Sequence, residues 1–198
     1  MDELSKEYVI DFFTKRFIHF KDKPEAVGWT PQGQLLRYNA VLELLNPLGK
    51  KLLDFGCGKG DFYGFLKEKG INCDYTGIDI NPYLIDLARK KYKDARFFVQ
   101  DIENEPLNDD FHYTIAIGVF NLAIEGAEAI MNRCLKILFK HTTEKLIFTC
   151  LNKKTSLKDI GLVYYDKKYL ETLAEDFQCK YQVIDDLIEG DIFLILEK

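Results

Sequence analysis

The stretch LLDFGCGKGDF, residues 52–62, decides how the rest of the chain is read. An apolar run ends in an acid, Asp54. Gly56, Gly58 and Gly60 then alternate with other residues, and a helix-like segment follows at once. A strand, a glycine-rich turn and a helix bring backbone close to a ligand and leave N–H groups pointing outward. The acid just ahead of the glycines separates this loop from most phosphate-binding loops and points to a ligand with a positive group.

Downstream of that turn, short apolar segments alternate with helical ones. A helix over Asp61–Lys69 is stopped by Gly70, and DYTGIDI (74–80) reads as a second strand. Pro82 opens the next helix, where its missing N–H costs nothing. Strands follow at RFFVQ (96–100), YTIAIGVF (113–120) and KLIFTCL (145–151), with a helix over Ala127–Phe139 between the last two. This alternation indicates a parallel sheet covered on both sides. After a helix over Asp166–Phe177, CKYQVID (179–185) and DIFLILE (191–197) are joined by only a few residues. So short a link cannot make a parallel crossover, so these two form an antiparallel hairpin. Upstream, residues 1–46 read as helices with one break, a loop over 21–34 holding two prolines and two glycines. A helix from about Gln34 to Leu45 follows it and is closed by Pro47 and Gly49.

Bulk properties bound the function. A length of 198 residues makes one folded core the expectation. A net charge of −5 and a pI near 5.3 argue against a broad nucleic-acid surface. No apolar run approaches the length of a membrane span, and MDELSKEYVIDFFTKRF lacks a signal-peptide pattern. The five cysteines are odd in number and form no CxxC, which fits a reducing cytoplasm and argues against both a disulfide framework and a metal site. Cys57 reads as a small filler whose backbone matters.

Four features then fall at the C-terminal ends of successive strands, where open α/β sheets bind ligands. The first is the Asp54–Gly60 loop. The second is Asp79, which could accept both hydroxyls of a ribose, or could be a surface turn residue before Asn81-Pro82. The third is Asp101 with Ile102: an acid there could take an adenine amino group while adjacent backbone reaches a ring nitrogen. Asp101 sits in an acid-rich loop, so a solvated charge is the other reading. The fourth is Gly118-Val119-Phe120-Asn121, beside the reacting end of a ligand whose ribose is at strand two.

With these residues in view, the chain resembles the class I S-adenosylmethionine-dependent methyltransferases. LDFGCGKG, YTGIDINPYLIDLARKK, FFVQDIENEPL and FHYTIAIGVFNL are similar to that family's four motifs, in order, and the resemblance covers about residues 48–198. WTPQGQLLRY resembles a Trp…Gln…Arg segment of an uncharacterised bacterial subgroup. The resemblance implies a Rossmann-like doubly wound α/β fold. Its seven-stranded sheet would have order 3-2-1-4-5-7-6 with the last hairpin antiparallel. A helical cap or lid over 1–46 would precede a catalytic domain over 47–198. It implies S-adenosyl-L-methionine as cofactor, held by Asp54, Gly56, Cys57, Gly58, Gly60, Asp79, Ile80, Asp101, Ile102, Gly118 and Val119. Trp29 and Arg37 join them, or Trp29 instead plugs the domain's edge. His112 departs from the family's usual acid at the start of strand four.

Methyl transfer is an in-line displacement that needs no metal and no covalent nucleophile, and the sequence supplies no set for either. The catalytic residue stays unassigned; His19, Asn121 and Tyr164 are the candidates. The Asn/Asp-Pro-Pro-aromatic tetrapeptide of DNA and protein amino-group methyltransferases is absent after strand four. That absence and the acidic charge favour a small-molecule acceptor. Two other readings stand beside it: a non-catalytic cofactor-binding partner subunit, and a nicotinamide-dependent oxidoreductase. The second is weakened by GxGxG spacing in place of GxGxxG. The acceptor and the oligomeric state are not legible.

Overall fold

Side-chain caps and prolines set where the helices start. In the computed structural model, which describes residues 1–156 and 158–198, Asp2 accepts a hydrogen bond from the Ser5 N–H at 2.9 Å and opens α1 (Glu3–Phe20). Thr30 accepts from the Gly33 N–H at 3.0 Å, and Pro31 takes the first position of α2 (Pro31–Glu43). Such a cap contributes about 0.5–2 kcal/mol. It starts α2 inside the segment 21–34 that was expected to be a loop, and the same segment holds a 3-10 turn, Pro24–Val27.

The chain forms two compact units, residues 1–101 and 102–198. The first contains α1, α2, β1 (Lys51–Phe55), α3 (Asp61–Glu68), β2 (Asp74–Asp79), α4 (Pro82–Lys91) and β3 (Arg96–Val99). β1, β2 and β3 pair in parallel, with Asp54 opposite Gly77 and Gly77 opposite Phe97. Leu52 and Leu53 are adjacent in β1 and both fully buried, so the strand is covered on both faces. α3 buries Phe62, Phe65 and Leu66; α4 buries Leu84, Ile85 and Ala88, at helical spacing. Each such Leu, Ile or Phe contributes about 1.5–3 kcal/mol. Tyr63, Tyr75, Tyr92 and Phe97 form an aromatic cluster, with Tyr63 and Tyr75 rings 4.9 Å apart.

The second unit contains β4 (Phe111–Ile117), α5 (Ala127–Lys140), β5 (Thr142–Leu151), α6 (Lys167–Glu175), β6 (Lys180–Ile184) and β7 (Asp191–Glu197). β4 and β5 are parallel; β7 runs antiparallel to both β5 and β6, so the last two strands are the expected hairpin. The core of this unit includes Ile115, Met131, Leu135, Phe148, Phe193 and Leu194, all with no exposed surface. β4 stops at Ile117 instead of running to Phe120, because Gly118 adopts φ +69° and turns the chain out of the strand. β5 starts earlier than expected, at Thr142, whose buried hydroxyl donates to the Leu138 carbonyl and lies 2.7 Å from that of Thr114.

The sheet has seven strands in the order β3-β2-β1-β4-β5-β7-β6, the order the family resemblance implies. Leu157 lies outside the described residues. Among the described residues no helix is long and apolar enough to cross a membrane.

Candidate cofactor site

The glycine loop is built on left-handed backbone. Gly56, Gly58 and Gly60 have φ of +73°, +54° and +78°, alternating with Cys57 and Lys59. A side chain is strained at such angles, which is why glycine recurs at every second position. The Gly56 and Cys57 N–H groups donate to the Ile78 carbonyl at 2.8 and 3.1 Å, carrying the loop across the end of β2. Gly60 is the residue before α3, and a Cβ there would sit 3.0 Å from the Phe97 ring. Cys57 is buried, and burial pushes its thiol well above its ordinary range. Its sulfur would lie 2.7 Å from a Cβ placed on Gly77, so thiol and glycine are a matched pair. That is the filler role read from the sequence.

Three carboxylates follow at the ends of successive strands. Asp54, 4% exposed, accepts a hydrogen bond from the Tyr75 hydroxyl. Burial raises its pKa to about 7; the Tyr75 hydroxyl opposes the rise, and the nearby Asp79 and Asp61 charges add to it. Asp79 accepts the Gly58 N–H on Oδ2 at 2.9 Å and the Asn81 N–H on Oδ1 at 2.8 Å. Burial raises its pKa too, against those backbone donors and the Ile80 N–H. Each carboxylate oxygen can accept a second hydrogen bond, so Asp79 holds the glycine loop and keeps acceptor capacity. Asp101 is 6% exposed, and its Oδ2 lies 3.1 Å from Lys6 Nζ of α1. It is a buried, paired carboxylate and not the solvated charge of the alternative reading.

Several residues that sequence reasoning passed over complete this arrangement. Lys59, between the last two glycines of the loop, is 2% exposed. Its ammonium lies 2.5 Å from Asp61 Oδ2 and 3.2 Å from Asp22 Oδ1. Lys91 joins the same pair of carboxylates, at 2.9 Å from Asp22 and 3.4 Å from Asp61. A lysine among glycines reads as solvated, and the only signal against that was Asp61 two residues on. Tyr75 and Asn81 gave no signal, because the groups they bind are remote in sequence.

The WTPQGQLLRY segment is also within the first unit. Arg37 lies 5.2 Å above the Trp29 ring and donates to the Gly33 carbonyl at 3.1 Å, and Trp29 packs edge-on against Tyr38 at 5.8 Å. Gln34 donates to Asp61 Oδ2 at 3.0 Å, which ties α2 to the start of α3. His19 is exposed on α1, edge-on to Phe20 at 4.5 Å.

In the second unit, Ile102 is buried and Gly118 donates to the Thr149 carbonyl and hydroxyl at 3.0 and 3.1 Å; Val119 follows it, half-buried. Asn121 Oδ1 accepts the Leu151 N–H at 3.2 Å and its carbonyl accepts the Val163 N–H at 2.8 Å. The Tyr164 hydroxyl accepts the Asp159 N–H at 2.8 Å. Its neighbour Tyr165 is the buried one, 1% exposed, and donates to the Phe120 carbonyl at 3.1 Å. Among the described residues no group of three or more His, Cys, Asp or Glu could hold a metal ion.

Comparison with known proteins agrees with this arrangement. Residues 52–141 match the profile of a family described as "Methyltransferase domain". Rv1506c of Mycobacterium tuberculosis, which carries a methyltransferase assignment, is 28% identical over 131 residues, covering 64% of this chain and 76% of that protein. The demethylmenaquinone methyltransferase of Thermotoga maritima is 32% identical over 103 residues, 50% of this chain and 43% of that one. The magnesium protoporphyrin IX methyltransferase of Synechocystis PCC 6803, solved with bound S-adenosylhomocysteine, superposes with a TM-score of 0.70 at 16% identity. That superposition covers 98% of this chain and 99% of the other. Four motifs in order, the strand order of the sheet and these matches agree: the fold is that of the class I S-adenosylmethionine-dependent methyltransferases, and residues 52–141 carry the methyltransferase-domain match.

Proposed function

We propose that the chain transfers the methyl group of S-adenosylmethionine directly to a small-molecule acceptor. The observation that carries this reading is the row of three carboxylates, Asp54, Asp79 and Asp101, at or just beyond the ends of three adjacent strands, with the glycine loop hydrogen-bonded to the middle one. The donor set fits the cofactor's chemistry. Asp79 has acceptor capacity for a ribose diol, Asp101 for an adenine amino group, and Asp54 answers a cationic end. Gly56, Cys57, Gly58, Gly60 and Ile80 shape the backbone beside these carboxylates. Ile102, Gly118 and Val119 complete the set, with Trp29 and Arg37 as N-terminal contacts.

When bound, the cofactor supplies a methyl group already activated on a sulfonium. What remains for the protein is to bind, orient and exclude water, and orientation alone can account for about 7–11 kcal/mol of a barrier. Asp79 and the loop it holds fix position. Burial of Asp54 keeps water from the cationic end. Residues 1–46 act as a cap on the domain over 47–198, and 1–46, 120–127 and 152–166 set acceptor choice. His19, Asn121 and Tyr164 remain the candidate catalytic groups, and Asn121 and Tyr164 already serve loop structure.

A small acceptor is supported by the net charge of −5 and by the names of the relatives, which specify demethylmenaquinone and magnesium protoporphyrin IX. The test is production of S-adenosylhomocysteine by the purified chain over panels of small molecules, oligonucleotides and peptides. Turnover confined to small molecules, and lost in Asp79→Ala, is the expected result. Turnover on an oligonucleotide or peptide would refute the acceptor class. Cofactor binding without turnover on any panel would favour the partner-subunit reading.

A further inference from the structure

Asn81 connects the Asp79 turn to the N-terminal helix. The residue is 2% exposed, and three sets of hydrogen bonds use it at once. Its backbone N–H donates to Asp79 Oδ1 at 2.8 Å. Its Oδ1 accepts from the Tyr83 and Leu84 N–H groups at 3.0 and 3.2 Å, capping α4. Its Nδ2 donates to the Ile10 carbonyl at 3.1 Å and to Thr14 Oγ1 at 3.0 Å, both in α1. The cap needs only the acceptor, and serine or aspartate would serve there. Asn is the favoured cap residue whose side chain also carries an NH₂ with two protons to donate.

Other contacts also hold α1: Arg16 donates to the Glu25 carbonyl at 3.1 and 2.6 Å, and Val9, Ile10, Phe13 and Phe17 are half-buried. None of its residues is buried, and Leu4 and Ile18 are 80% and 61% exposed. A helix whose apolar stripe is only half-buried draws less from apolar contact than a core helix and opens at lower free energy. Its docking therefore rests in part on polar attachments. One is Lys6 to Asp101 at 3.1 Å; another, just past the helix, is Asp22 to Lys59 at 3.2 Å. The attachments through Asn81, Lys6 and Asp22 all end on or beside a group of the proposed cofactor site.

We propose that Asn81 is a positioning residue: its side-chain amide links the docking of α1 to the turn that orients the Asp79 carboxylate, so that cofactor affinity depends on a docked α1. This rests on Asp79 being a cofactor ligand. Docked α1 holds the Asn81 amide in one rotamer. That rotamer sets the cap, and the cap sets the backbone from Ile80 to Tyr83, including the N–H aimed at Asp79. By linkage the effect is reciprocal: whatever holds Asp79 in place also favours the docked helix.

Asn81→Ser isolates the coupling. It keeps a capping oxygen and the backbone N–H to Asp79, and removes both donors to α1. Thr14→Val removes one of the acceptors, far from the cap. Hydrogen exchange of the α1 amides and titration with S-adenosylhomocysteine are measured on wild type, both variants and Asp79→Ala. Loss of two hydrogen bonds predicts about tenfold faster α1 exchange and about tenfold weaker binding in Asn81→Ser, and about threefold in each for Thr14→Val. S-adenosylhomocysteine slows α1 exchange in wild type and less so in Asn81→Ser. If α1 exchange rises while affinity stays at the wild-type value, Asn81 only tethers the helix and the coupling is refuted. If neither changes, Asn81 is a cap alone and the coupling is refuted. If Asp79→Ala binds as wild type does, the reading of Asp79 itself has failed, and the coupling with it.

Discussion

At the scale of single residues, the proposed site holds its carboxylates in place before any ligand arrives. Burial, helped by the Asp79 and Asp61 charges and opposed by the Tyr75 hydroxyl, raises the Asp54 pKa to about 7. Because that value lies above an ordinary aspartate's, the folded chain binds more protons than the unfolded one between about pH 4 and 7. The stability this residue contributes is therefore full below about pH 4 and is lost as pH rises through 7. A ligand cation acts the other way and favours the ionised form. Affinity for S-adenosylhomocysteine, whose methionine end keeps its ammonium, should rise about two- to tenfold from pH 6 to pH 8 and release protons on binding. Asp54→Asn should flatten that dependence. Titration calorimetry in two buffers of different ionisation enthalpy checks both, and affinity that is flat or falling with pH in wild type would contradict this role. Asp54, Asp79 and Asp101 were legible because each lies at or just beyond the end of a strand. Their partners Tyr75, Asn81 and Lys6 were not, since hydrogen bonding between remote residues leaves no local pattern.

At the scale of elements, the glycine loop and the start of α3 are held by packing and by charge together. Lys59 is 2% exposed and bridges Asp61 and Asp22, whose side chains are 14% and 50% exposed. Breaking a fully buried pair costs about 3–5 kcal/mol; with one partner half exposed, Lys59→Met should cost about 2–3 kcal/mol in urea unfolding. Asp61→Asn added to it should recover part of that loss, and strict additivity would mean the two charges do not interact. Gly77 supplies a packing test. A Cβ there would meet Cys57 Sγ at 2.7 Å and Phe97 Cδ1 at 2.8 Å, so Gly77→Ala should destabilise by about 1–3 kcal/mol. Unchanged stability would mean that β1 and β2 have room the structure does not show. Most elements were legible from apolar periodicity and from Pro and Gly punctuation. The start of α2 was missed because prolines and glycines around Thr30 read as a loop, although Thr30-Pro31 is itself a cap signal. The start of β5 was missed because Thr142-Thr143-Glu144 reads as a polar turn. The strand is extended there by bonds from Thr142 to Leu138 and from Thr143 to Phe111.

For the whole molecule, the antiparallel end of the sheet followed from the short link between β6 and β7. The full strand order did not follow from periodicity and rested on the resemblance of four motifs to one family. The acceptor stayed illegible because the loops that would choose it carry no motif, and Asn121 and Tyr164 within them are committed to loop structure. The central claim, that the row of carboxylates and the glycine loop form a site for S-adenosylmethionine, has a direct test. Isothermal titration calorimetry would compare S-adenosylhomocysteine with NAD on the wild-type chain and on Asp79→Ala. The account predicts micromolar binding of S-adenosylhomocysteine alone, weakened about 10–100-fold by the substitution as charge-assisted hydrogen bonds are lost. Binding of NAD instead, or binding of S-adenosylhomocysteine that Asp79→Ala leaves unchanged, would contradict it.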